Sequence, residues 1–140
     1  MKKVKKSESK VEVNQFLKLL RDPNRFKKLD DGWVRDSLCG IEWGPSSEDR
    51  MPWAKAKDYC AKLKGRLPEV NELQSLVDYS KHDPAIDKSL FPDTKSSWYW
   101  TGTEVAGGSG YAWGVGFYGG LVGYDFRASS SYVRPCRASQ

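Results

Sequence analysis

A change of period is what most constrains this chain. Over 52–80 its apolar residues recur every three or four positions; from Ser97 onward they alternate. "WYWTGT" (98–103) reads as a strand. In "AWGVGFY" (112–118), Trp113, Val115 and Phe117 fall on one face, and Gly114, Gly116 and Tyr118 on the other. The first set is expected in the core and the second outside it. Gly119-Gly120 supplies a hairpin turn, and two further strands are expected near 121–126 and 131–137.

The earlier part supplies what packs on those strands. "DGWVRDSLCGIEW" (31–43) reads as a β-hairpin with Val34 and Ile41 inward and Gly40 relaxing the turn. A helix is expected over 52–64, opened by Pro52, with Trp53, Ala56, Cys60 and Leu63 as its apolar stripe. A second is expected over 66–80. Pro68 pre-sets its first turn, Glu69 and Glu72 lie near its positive end, and Val70, Leu73, Leu76 and Val77 face inward. His82-Asp83-Pro84 ends it. Hairpin, helix, helix, strands is an α+β order, and 140 residues suffice for one core.

Charge divides the chain differently. Residues 1–28 hold ten Lys/Arg against three acids, a net of +7, and the remainder thirteen against fifteen, a net of −2. Residues 1–30 are therefore read as a basic flexible arm plus a short amphipathic helix over about 11–21, carried by Val13, Phe16, Leu17 and Leu20. Residues 31–140 form the domain. A near-neutral body offers no basic groove, so no nucleic-acid partner is expected. No apolar run is long enough to span a membrane, and no apolar core follows the basic start as in a signal peptide. The expectation is synthesis in the cytoplasm and display on a virion or cell surface, with residues 1–30 available to dock to the carrier.

Taken in order, "GWVRDSLCGIEW", "AKDYCAKL", "RLPEVNELQSLVDYS", "PAIDKSLFPDTKSSWYWTGT", "AWGVGF" and "YVRPCR" resemble the C-type-lectin-like domain at the C-terminus of bacterial collagen-like adhesins. The resemblance covers about residues 31–137. It implies two helices packed on a small twisted antiparallel sheet, with long loops and termini held together. Residues 112–137 further resemble the variable region of a diversity-generating retroelement, in which a mutagenic reverse transcriptase randomises adenines, mostly in Asn codons. By that resemblance the ligand-binding positions are Gly114, Gly116, Tyr118, Gly119, Leu121, Gly123, Tyr124, Asp125, Phe126, Ala128, Ser129 and Ser131. Changing both adenines of an Asn codon never yields Lys, Glu, Gln, Met or Trp. These make up 33 of the 140 residues, yet none of the twelve is among them. At this chain's own usage, twelve random positions would avoid them about 4% of the time.

The implied function is recognition of a protein or glycan on a target surface, with Tyr118, Tyr124 and Phe126 as rigid contact anchors. The alternative is a fixed-sequence structural or adhesin domain. The resemblance also implies a Cys60–Cys136 disulfide in an oxidising setting; two reduced, buried thiols are the alternative. Cys39 is then left as a free thiol. The tripeptides of calcium-dependent lectins are missing, and residues 104–131 offer two carboxylates, Glu104 and Asp125. His82 is the single histidine. Neither a metal, a cofactor nor catalysis is expected.

Overall fold

The computed structural model describes residue 15, residues 17–108 and residues 110–140. Gln15 and residues 17–20 are helical, as the spacing of Leu17 and Leu20 predicts. The expected basic arm at 1–10, together with Val13 and Phe16, lies outside the described residues.

Two antiparallel sheets form the body, where the sequence led us to expect one. The first joins β1 (Phe26–Lys28), β2 (Val34–Asp36), β3 (Ile41–Trp43) and β7 (Cys136–Ala138), in the order β1-β2-β3-β7. Its β2–β3 hairpin is the predicted one: Val34 faces Trp43, Asp36 faces Ile41, and Gly40 turns at φ +68°. β1 pairs with β2, so this sheet begins inside the segment assigned to the arm. The second sheet is β4 (Trp98–Glu104), β5 (Tyr111–Gly116) and β6 (Leu121–Phe126), in that order.

Two helices lie between the sheets in sequence. α1 spans Trp53–Lys62, with Pro52 one position earlier than expected, at the N-cap. Trp53, Ala56 and Cys60 are buried as the stripe predicts, whereas Leu63 is only half-buried. α2 is much shorter than the expected 66–80: it spans Val70–Gln74, opened by a reciprocal capping box between Glu69 and Glu72. It stops because Ser75 is engaged elsewhere. The Ser75 hydroxyl donates to the Glu72 carbonyl (2.6 Å), while Arg25 donates to both the hydroxyl and the carbonyl of Ser75. The chain then leaves the helical path, and the Asp78 N–H donates to the Ala85 carbonyl.

The core has two lobes, one on each face of the second sheet. Tyr99, Val115 and Phe117 pack against Leu73, Leu76, Ile86 and Phe91 and, across them, against Val34, Ile41 and Trp43 of the first sheet. On the opposite face Trp100 and Ala112 pack beneath Trp53, Ala56 and Cys60 of α1, with Leu67 and Val133. β4 and β5 are thus covered on both sides. The expected strand at 131–137 is instead an irregular segment. It bridges Met51, Tyr99 and Arg66 in turn and becomes β7 only at Cys136. Through Tyr132 it closes the outer edge of β4, which leaves β6 as the edge of the second sheet that no described residue pairs.

Buried charges staple the first sheet. Arg25 and Asp36 form a two-pronged, fully buried pair (2.9 and 3.0 Å), and Asp36 also accepts the Trp43 indole N–H. Glu42, likewise buried, accepts from Arg35, Arg137 and the Gln140 N–H. Burial alone would raise its carboxyl, but those three donors outweigh it and hold the pKa below the ordinary value. Cys60 and Cys136 are separate thiols, not a disulfide. Cys60 packs in the lobe under α1 and Cys136 in the other, and burial pushes each thiol up to about 12, which makes both unreactive. Cys39 is also a free thiol, beside the Ser75 hydroxyl.

Candidate ligand-binding surface

The β5–β6 hairpin decides where each candidate residue points. Its four-residue turn, residues 117–120, sets Tyr111 opposite Phe126, Trp113 opposite Tyr124 and Gly114 opposite Gly123. Facing residues of an antiparallel pair share a side of the sheet. Phe126 and Tyr124 therefore continue the row that starts in the core with Val115 and passes through Trp113 and Tyr111. The rings interlock: Tyr111 and Phe126 lie 4.5 Å apart, Tyr111 and Tyr124 meet edge to face at 5.5 Å, and Trp113 meets Tyr124 edge to face at 5.3 Å.

That row runs from dry to wet. Val115 and Phe117 are buried as expected, but Trp113 is only half-buried, because beyond Val115 no element among the described residues covers this face of the sheet. Tyr124 and Phe126 are 59% and 55% exposed, and Leu121, on the other side of β6, is 54% exposed. Asp125 and Ala128 are exposed as well, and Gly119 projects from the turn with open space around it.

The expectation fails for Gly114 and Gly116, which are buried rather than facing solvent. Their side of the sheet carries Trp98 and Trp100 from β4. The Trp98 ring lies across three glycines: a Cβ on Gly114, Gly116 or Gly123 would meet ring atoms at 3.7, 3.3 or 3.1 Å. A Cβ on Gly114 would also come within 2.9 Å of the Tyr99 carbonyl, a backbone atom that cannot step aside. Tyr118 is half-buried, edge to face with Trp98 at 5.8 Å. Ser131 is buried and held by a two-way backbone bridge to Met51. Ser129 is half-buried and donates its hydroxyl to Asp125 (3.2 Å).

Arg127 anchors the exposed stretch from its middle. Its N–H donates to Gly110, its carbonyl accepts the first amide of α1 from Trp53, and its guanidinium pairs with Glu104 (2.9 Å) and sits 5.2 Å over the Trp53 ring. Residues on either side of it can therefore stay in solvent without the loop drifting. Trp98, Tyr111, Trp113 and Val122 also contribute to this surface and were missed from the sequence. The signal that finds them is the pairing register, which depends on a turn length that Gly119-Gly120 alone does not specify. His82 is exposed and bonded to Asp83 (3.2 Å), whose N–H donates to the Tyr118 carbonyl.

The family model of the Lcl C-terminal domain matches residues 32–137, three quarters of the chain. The chain belongs to this family. It is thus a lectin-like, adhesin-type domain, and the matched stretch runs from the β2–β3 hairpin to the second residue of β7. No curated protein matches it.

Proposed function

We propose that this chain is the ligand-binding variable protein of a diversity-generating retroelement, built on a C-type-lectin-like scaffold. It presents an interchangeable surface to a protein or glycan on a target. It acts by binding rather than catalysis, and residues 1–30 join it to the virion or cell surface that carries it. The observation behind this reading is one of juxtaposition. Leu121, Tyr124, Asp125, Phe126 and Ala128 lie in solvent, while Val115, Phe117 and Val133 to Cys136 on either side are buried. Rewriting such residues leaves the core untouched, and rigid rings among small residues suit contacts of low entropic cost.

A second reading, a fixed-sequence adhesin domain, draws support from the glycines beneath Trp98. A library that changed Gly114 would push a side chain into the Tyr99 carbonyl. On the first reading the workable variation therefore narrows to Gly119, Leu121, Tyr124, Asp125, Phe126, Ala128 and Ser129. The adjoining DNA discriminates. A near-copy of the 112–137 coding segment, differing at adenines in the codons of those positions and lying beside a reverse-transcriptase gene, is expected. Its absence would leave only the adhesin reading.

A further inference from the structure

Behind the exposed rings, on the glycine side of the second sheet, lies a cleft of about 240 Å³. Its floor is Gly114 and Gly123, its walls are Trp98 and Trp100, and Asp125 and Ser131 stand at its rim. This is below the roughly 300–1,000 Å³ of sites that enclose whole small molecules, so it suits one side chain. The bare glycines leave it open: a Cβ on Gly123 would meet the six-membered ring of Trp98 at 3.1 Å and force it to shift.

The polar groups lining this cleft include one charge, the carboxylate of Asp125. The Trp100 indole N–H is committed to the Met51 carbonyl (2.8 Å), and both backbone groups of Ser131 are committed to Met51. Asp125 uses Oδ1 to accept from the Phe126 N–H and the Ser129 hydroxyl. Its Oδ2 accepts no bond, and no Lys or Arg pairs with it, among the described residues. Indole walls and a carboxylate with an unused oxygen attract a cation on both counts. The Trp98 indole N–H and the Tyr124 and Ser131 hydroxyls make no hydrogen bond among the described residues, so neutral donors are present too. The Asp125 carboxylate is the one charged group of the lining, and it favours a cation over a neutral sugar.

We propose that this cleft receives a cationic side chain, lysine or arginine, from a partner protein, with its stem against Trp98 and its charged end on Asp125. The inference rests on the recognition role proposed above and specifies what part of that surface recognises. The test uses the full chain and watches the Trp98 indole N–H signal by NMR while N-acetyl-lysine methylamide or N-acetyl-arginine methylamide is added. Both are expected to shift that signal saturably, with N-acetyl-norleucine methylamide binding about tenfold more weakly. Asp125→Asn should erase that preference without changing the melting temperature, and Gly123→Val should abolish binding while leaving Asp125 in place. Equal binding of the norleucine amide, an unaltered preference in Asp125→Asn, undiminished binding in Gly123→Val, or a response to methyl glucoside alone would each overturn it. A retroelement near-copy found in the DNA would keep the variable-protein reading even if the cleft ignored every cation.

Discussion

The two sheets solve opposite problems. The first has edges three residues long and is crossed by ion pairs: Arg25 with Asp36, Arg35 with Glu42, and Arg137 with both Glu42 and Asp31. The second ends in a six-residue edge strand with no Lys, Arg or Pro, and every residue of it except Gly123 is exposed. Natural sheets usually blunt such an edge with charge or proline. The apolar border left open here coincides with the surface proposed for recognition. Buried charge and core side chains are concentrated away from the open strand, which is held by its six-residue pairing with β5.

The sharpest test compares two phenylalanines of the same hairpin. Phe117→Ala should cost about 3–5 kcal/mol, as a buried ring leaves a cavity. Phe126→Ala should cost well under half of that, since most of its surface is already wet. Urea unfolding of both reads the difference, and equal losses would mean that β6 is part of the core after all.

Next in size is the charged staple. Glu42→Gln should cost roughly 1.5–3 kcal/mol near neutral pH, because three donors lose their ionised acceptor. The sign with pH follows from the lowered carboxyl. The stabilisation by Glu42 is complete above the unfolded carboxyl value of about 4.3 and is lost as pH falls through the lower folded value. A series of melts from pH 6 to pH 2 should show the Glu42→Gln variant losing less stability on acidification than the parent. Parallel curves would remove Glu42 from the account.

The smallest effect contrasts two glycines. Gly114→Ser should cost about 1–3 kcal/mol through its clash with the Tyr99 carbonyl, while Gly119→Ser, with nothing within 4 Å of its Cβ, should be within about 0.5 kcal/mol of neutral. If Gly114→Ser were also neutral, the steric limit at Gly114 would vanish and that position would be open to variation again.

Several elements were legible because local chemistry agreed with their final setting. The Val34/Ile41 hairpin and the Trp53, Ala56, Cys60 stripe each carry a period that a single buried face satisfies. α2 was overestimated because Ser75 looks like an ordinary helical residue until Arg25, fifty positions earlier, takes its carbonyl. Trp113 was assigned to the core and Gly114 to the surface on the assumption that one face of β5 is covered and the other bare. Both faces are covered near Val115, and cover runs out toward Tyr111.

Alternation and glycine placement, properties of neighbouring residues, were enough to mark strands, the hairpins and a region of unusual composition. Which side of each strand meets water was settled only by what arrived from afar: α1 over Trp100 and Ala112, Trp98 over the glycines, Tyr132 along β4, and, among the described residues, nothing along β6. Periodicity encodes that a strand has two faces. Burial depends on which distant segments have the volume and charge to lie against them.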